Sequence, residues 1–436
     1  MMSTELMEGL TEALNPAAVE KLAISEPQWL RERRSHAWDV YERTPMPTTK
    51  LEEWRYTDLK KTLDLDALKL STAESMTDQA TWPARLRAAM DEDRDASGHM
   101  VIIDGHVVHT DIDEGLAAKG VILESLHDAV AKHPELIQEH LATEAVPAEE
   151  GKFAALNAAL WNDGIFLYVP RGVALELPIR VTRWFSEPAT AYFSRVLIVA
   201  EHSSQVSYVD EMLSDDFESQ TMTSTAVEVI AKQNAQVQYV AVQRLGKGAF
   251  YQSVQHTLNV ALGASVTRVD LNARLLGPGA NSDMLGLYFG DGDQHFDFNT
   301  SQDHTVPNTS SDLLYKGALD GASHSVFRGI IRVYPGAQGT DAYQTNRNLL
   351  LSPNARADSL PNLEIEADDV KCSHGATIGE LDAEAKFYLM SRGLPLVQAE
   401  RLVVLGFLGE VLSKLPLGGV VEKVSRVIEH KLAHQG

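Results

Sequence analysis

The chain has 436 residues, 44% of them hydrophobic, with 61 acidic against 38 basic side chains, a formal net charge of −23 and a single cysteine. One cysteine excludes an intrachain disulfide and argues against a secreted, disulfide-stapled fold. An acidic excess of this size repels phosphate backbones and sets nucleic acid aside as a partner; it reads as a solvated acidic surface or as a face made to meet a basic partner.

The opening residues, Met1 to Leu10, hold no basic segment followed by an apolar stretch. The longest apolar runs, such as Leu402 to Leu408, are broken by glycine and too short to span a bilayer. The expectation is a soluble, cytoplasmic protein with no membrane partner. Residues 1–150 read as a mostly helical region. Asn15-Pro16 opens one helix, and Ser25-Glu26-Pro27-Gln28 has capping-box spacing before a segment carrying Leu30, Ala37, Trp38 and Tyr41. Pro45 and Pro47 stop that segment. Leu51 to Leu59, dense in aromatics and charge, reads as a packed connector. Beyond residue 60, short helices alternate with a strand patch at Met100 to Val108, and Phe153 to Trp161 reads as one more helix before Gly164.

From about Ile165 to about Ile378 the pattern becomes short β-branched and aromatic runs punctuated by small-residue turns. These are His202-Ser203-Ser204, Asn234-Ala235-Gln236, Gly263-Ala264-Ser265, Gly279-Ala280-Asn281, Gly321-Ala322-Ser323, Gly336-Ala337-Gln338, Asn354-Ala355-Arg356 and His374-Gly375-Ala376. A residue tolerant of positive φ, a small residue, then a strand is what each corner of a stacked coil requires. No long helical pattern interrupts the region, which argues against a βαβ sheet. The expected fold is therefore mainly β, a β-solenoid core over 151–380 between helical regions at 1–150 and 381–436, with a sandwich as the alternative.

The tail returns to helix. Asp382 caps a helix running to Arg392 and closed by Gly393. Leu396 to Leu415 follows, with Leu402, Leu405, Leu408, Val411, Leu412 and Leu415 as a broad apolar stripe ended by Pro416, and Val420 to Ala433 makes a last amphipathic helix. Such helices either cap the open end of the stack or dock a partner.

Catalytic motifs are missing. There is no G-x-x-x-x-G-K-[ST], no G-x-G-x-x-G after a strand, no G-x-S-x-G and no H-E-x-x-H. His256, His295, His304 and His324 lack ligand spacing. Gly290-Asp291-Gly292-Asp293 lacks the glutamate of a calcium loop and reads as a plain turn. A β-solenoid enzyme acting on carbohydrate needs paired acids in a groove. It stands as the alternative to a non-catalytic scaffold.

One constellation carries metal chemistry. Asp368-Asp369-Val370-Lys371-Cys372-Ser373-His374-Gly375-Ala376-Thr377 follows the alternating run Leu363 to Ala367. If that strand runs on, Cys372 and His374 share the wet face of Glu364, Glu366 and Asp368; if Asp368-Asp369 turns the chain, the faces flip. A thiol beside an imidazole suits iron, copper or zinc, although two ligands do not close a site. The plainer reading of a lone cysteine is a small buried hydrophobe.

Several segments together carry a family resemblance: Glu52-Glu53-Trp54-Arg55-Tyr56-Thr57-Asp58-Leu59, Phe153-Ala154-Ala155-Leu156-Asn157, Asp163 to Pro170, Asn346 to Ser352, Leu363-Glu364-Ile365 with Asp368 to Thr377, and Phe387-Tyr388-Leu389 with Ser391-Arg392-Gly393. The chain resembles the SufB/SufD family of the SUF iron–sulfur cluster assembly system, in its SufD form, since SufB-like chains carry more cysteines. The resemblance implies a helical N-terminal region, a right-handed parallel β-helix and a C-terminal helical domain. It implies pairing with SufB through the β-helix and binding of one SufC ATPase by the C-terminal helices, where Leu402, Leu405, Leu408, Val411 and Leu412 are the expected docking stripe. It further implies a transient iron–sulfur cluster shared with SufB, with His374 as the matching histidine, Cys372 as the adjacent family cysteine, and no cofactor held tightly by this chain alone. A homodimer, and a purely structural partner of SufB, are the alternatives.

Overall fold

A computed structural model describes residues 13–71, 75–92, 95–255, 258–415 and 417–433. Met1 to Leu10, His256 and Pro416 lie outside the described residues. The chain divides into two compact units, Met1–His256 with Arg268–Asp270, and Thr257–Thr267 with Leu271–Gly436. Each is built on a stretch of β-solenoid.

The strands of the first unit are β1 (Lys69–Leu70), β2 (Gly98–Ile103), β3 (His106–Ile112), β4 (Ile122–Ser125), β5 (Asp163–Val169), β6 (Ile179–Phe185), β7 (Thr190–Ala200), β8 (Gln205–Ser214), β9 (Thr221–Ala231), β10 (Gln236–Arg244) and β11 (Ala249–Gln255). Odd and even strands separate into two walls, β5-β7-β9-β11 and β6-β8-β10, in which successive members pair in parallel. The antiparallel β2–β3 hairpin adds to the second wall and β4 to the first.

Four helices of this unit matter here: α1 (Pro16–Ala23), α2 (Gln28–Arg43), α3 (Ala84–Glu92) and α4 (Lys152–Leu160). Asn15 caps α1 as expected, its side chain accepting from the Ala18 N–H at 3.1 Å. The capping box at Ser25 does not form. Pro27 precedes α2 without a side-chain cap, and Glu26 instead grips the buried Arg34 through two 2.7 Å contacts. Arg34 also stacks over Trp161, 4.3 Å from the ring centroid, and donates to the Ala159 carbonyl, which joins α2 to the end of α4. The Glu52 to Leu59 connector is pinned in the same fashion. Arg268 lies 4.1 Å over Trp54 and donates to the Glu53 carbonyl, while Trp54 packs on Phe153.

Within this unit the lumen holds a fully buried ion pair. Arg183 donates from Nε and Nη2 to the two Asp210 oxygens at 2.8 and 2.7 Å, and from Nη1 to Ser194 Oγ. Tyr239, stacked on Tyr208, donates to Asp210 as well. Burial works against the cation, but the adjacent carboxylate holds the Arg183 guanidinium above its usual pKa.

The second unit contains β12 (Leu258–Ala261), β13 (Val266–Leu275), β14 (Asn281–Gly290), β15 (His295–His304), β16 (Ser310–Leu319), β17 (His324–Val333), β18 (Thr340–Leu350), β19 (Arg356–Ile365) and β20 (Val370–Glu380). One wall is β13-β15-β17-β19 and the other β12-β14-β16-β18-β20, with β19 and β20 ending their respective sheets. Five of the eight triplets carry the expected backbone: positive φ falls at Ser203 and Asn234 in the first unit and at Ala264, Gly279 and Gly321 in the second. Gly336-Ala337-Gln338 and Asn354-Ala355 precede their strands without a positive φ, and His374-Gly375-Ala376 lies inside β20 and turns nothing.

Inner rows of this unit mix aromatic rings with amides. Tyr288 donates to Asn348 and accepts from Asn346, Asn348 donates to Asn346, and Ser325 donates to Asn348, which links these buried groups in one network. His304 is wholly buried, with ring nitrogens 2.7 Å from Thr309 Oγ1 and 2.8 Å from Ser311 Oγ. Burial, opposed by Asp303, lowers its pKa below 6.5. The folded state thus favours the neutral ring. That contribution to stability is present above the unfolded pKa and is lost as pH falls through about 6.5 toward the folded value. Melting temperatures over a pH series should decline on the acid side in the wild type, and His304→Gln should flatten that part of the decline.

Three helices follow: α5 (Ala383–Ser391), capped by Asp382 as expected, α6 (Leu396–Ser413) and α7 (Gly418–Ala433). They do not cap the stack by lying over β19 and β20. α6 packs on the outside of β14 and β16. Lys316 of β16 is buried beneath it, donating to the Phe407 carbonyl at 2.9 Å, facing the Phe407 ring and pairing with Glu410. Lys431 fixes α7 through Asp291 at 3.1 Å and the Phe289 carbonyl. Asp291 therefore belongs to a turn that receives a helix.

Candidate functional site

The last turn of the coil is built from β19 and β20. Neither contains a buried residue, and each lies at the end of its sheet. Their outer backbone edges and the lumen between them are therefore open.

Register decides where Cys372 and His374 point. β18 and β20 pair without offset, Ala342 with Cys372, Gln344 with His374 and Asn346 with Ala376. Ala342, Gln344 and Asn346 are buried inner-row residues, whereas Tyr343 between them is 42% exposed on the outside. Cys372 and His374 thus share the inner row. The wet-face expectation is corrected: residues 366–369 form a corner, so β19 and β20 belong to different walls and Glu364 points away from the lumen that Cys372 enters. Cys372 packs with Leu363 and Val370 against Ile331, Val333, Ala337, Ala342 and Ala367. Burial is the main reason its thiol pKa is raised, which keeps it protonated and a reluctant metal ligand at neutral pH. His374 is exposed at the lumen mouth, and its imidazole makes no hydrogen bond among the described residues.

Among the described residues no group of three or more His, Cys, Asp or Glu side chains is placed to hold a metal ion. The His295 and His324 rings lie 5.1 Å apart, tilted by 54°, and His324 is 2.7 Å from Asp358, but among the described residues these three are not placed to hold a metal ion together. In the terminal turn the described residues offer the exposed imidazole of His374 and the recessed thiol of Cys372.

The apolar stripe of α6 divides. Leu408 and Val411 are 0% exposed, and Leu412 is buried with them against this unit's own wall and α7; Leu405 is half-buried and Leu402 is exposed. The expectation that all five form a docking surface is therefore corrected. A broad stripe with leucine on several sides of a helix does not say which side the fold consumes. The exposed apolar set is Phe387, Tyr388 and Met390 on α5 with Leu396, Val397 and Leu402 on α6. Reading by stripe missed Phe387 and Tyr388, although two adjacent aromatics on a short helix are themselves a signal.

Two family descriptions match the chain in tandem. "SufBD protein N-terminal region" covers residues 14–181, and "SUF system FeS cluster assembly, SufBD core domain" covers residues 183–407. The chain belongs to the SufBD family. It is 34% identical over 421 residues to the iron–sulfur cluster assembly protein SufD of Bacillus subtilis, covering 93% of this chain and 95% of that protein. An iron–sulfur cluster assembly SufBD family protein of Staphylococcus epidermidis is 28% identical over 444 residues, covering 97% and 93%. One from Staphylococcus aureus is 27% identical over 428 residues, covering 94% and 90%. Membership in the SufBD family makes this an iron–sulfur cluster assembly protein with a β-solenoid core. No helix among the described residues is long and apolar enough to cross a membrane.

Proposed function

We propose that the chain is a non-catalytic scaffold subunit on which a nascent iron–sulfur cluster is built at the junction with a SufB-type partner. The observation that carries this reading is the open terminal turn: two unpaired sheet edges flank a lumen mouth that presents His374, with Cys372 behind it. Unpaired edges of this kind offer a ready template for pairing with another chain. A lone imidazole needs further donors, which a partner supplies, with thiolates the usual cluster ligands and histidine an occasional one. His374 is the primary ligand from this side. Cys372, seated among aliphatic side chains, is secondary and becomes available when the partner or the metal draws off its proton.

The C-terminal helices are assigned to a SufC-type ATPase through the exposed set on α5 and the start of α6. Phe387, 74% exposed, is its natural centre. Phe387→Asp should abolish ATPase co-purification and leave the melting temperature unchanged, because the ring touches little of its own chain. Leu408→Ala should behave in the opposite sense, costing about 2–5 kcal/mol of stability as a core truncation. ATPase binding that survives Phe387→Asp and Leu402→Asp together removes this surface from the proposal.

A further inference from the structure

The lumen of the first unit holds more hydroxyls than it has partners for. Ser224 and Ala226 of β9 face α4, through the Asn157 amide and Ala154, so the odd residues of that strand point inward. Register then lines up two inner rows across β7, β9 and β11: Tyr192, Thr223 and Tyr251, and beside them Ser194, Thr225 and Ser253. From the opposite wall Arg183 reaches Ser194, and Tyr239, stacked on Tyr208, donates to Asp210. Thr223 Oγ1, Tyr251 Oη, Ser253 Oγ and Tyr208 Oη are buried, and none has a hydrogen-bond partner among the described residues. These hydroxyls gather around the ion pair. Burial chiefly raises the Tyr251 and Tyr208 pKa values, and the charges of Asp210 and Arg183 act on both phenols. Ser253 beside Tyr251 and Arg183 beside Tyr208 oppose that rise, yet neither phenol meets hydrogen-bond geometry with its neighbour. Three of the five Arg183 N–H groups are engaged by Asp210 and Ser194.

We propose that this chamber is a binding site for ordered water, with about two molecules held between the ion pair and the four hydroxyls. A buried water makes about three hydrogen bonds to groups the protein leaves unsatisfied, and the hydroxyls together with the remaining guanidinium N–H groups supply that number. Each hydroxyl can donate or accept, as water does. An anion in the same place would face Asp210, and a metal ion would face Arg183. Room comes from small side chains: the row Ser194, Thr225 and Ser253 on one wall, and on the other Ala241, paired with Asp210. Leucine or phenylalanine would fill a dry coil at those positions. Without water each bare hydroxyl carries a desolvation penalty that phenylalanine or valine avoids, and the buried charges lose the solvent that eases their burial. The water site belongs to the fold of the first unit and stands independently of the role of His374.

Tyr251→Phe and Thr223→Val each delete one hydroxyl and keep the shape of the side chain. Native-state hydrogen exchange on the full-length chain reads the consequence at the β9 and β11 amides. Loss of a hydroxyl that bonds water should lower their protection by about fivefold in either variant. A dry chamber gives the opposite sign, because an apolar group then replaces a bare hydroxyl; raised or unchanged protection in both variants overturns the proposal. A high-resolution crystal structure of the full-length chain reads occupancy directly. Water density within about 2.5–3.0 Å of Tyr251 Oη and Thr223 Oγ1 supports the proposal. A chamber in which the four hydroxyls bond directly to one another overturns it, as does an anomalous peak at the same place after a bromide soak, which would identify an anion site.

Discussion

Replacing His374 with alanine is expected to lower the iron and acid-labile sulfide recovered on the assembled complex by at least about tenfold, the loss that follows removal of a metal-orienting or ligating group. Folding and partner binding should be untouched. The ring is exposed and makes no hydrogen bond among the described residues, so its deletion opens no cavity and leaves no buried group bare. Cys372→Ser should have a smaller effect on cluster yield and a larger one on stability, since it places a hydroxyl among Ile331, Val333 and Ala342. Iron and sulfide analysis after reconstitution, alongside thermal melts, reads both quantities. A complex carrying His374→Ala with undiminished iron and sulfide would remove the imidazole from the site and leave the chain a structural partner only.

The largest effect on stability is expected at Arg183. Arg183→Met leaves Asp210 as an uncompensated charge in a lumen where both side chains are almost wholly buried. Breaking such a pair costs about 3–5 kcal/mol. The double variant Arg183→Met, Asp210→Asn removes the stranded charge while the amide oxygen still accepts from Tyr239. It should recover at least half of the loss, because the damage lies in the charge left behind more than in the attraction removed. Hydrogen exchange of β6 and β8 amides in the single and double variants measures this locally. Equal protection loss in the two would show that the pair matters through packing.

Much of the fold is legible in the sequence because a stacked coil repeats a local rule. Ser203, Asn234, Ala264 and Gly321 mark corners through backbone conformation, a property of the residue and its immediate neighbours. Asn15 and Asp382 reveal helix starts for the same reason. What escaped depends on partners distant in the chain. The facing of Cys372 turns on whether residues 366–369 bend, which the alternation before them does not reveal. The fate of Leu408 turns on the wall of β14 and β16, about ninety residues earlier. Glu26 is drawn to Arg34 because that guanidinium needs a carboxylate in its buried setting.

Pairing without offset along all of β18 and β20, from Thr340 opposite Val370 to Leu350 opposite Glu380, leaves the terminal strand no freedom of phase. Losing or gaining one residue between Val370 and Cys372 shifts the alternation by half a period, turning thiol and ring to the outside and bringing Ser373 inward. The same edit at Asp368 or Asp369 is taken up by the corner. Changes in chain length are thereby confined to the bends, and the one-residue interval between Cys372 and His374 acts as a ruler that tolerates no error.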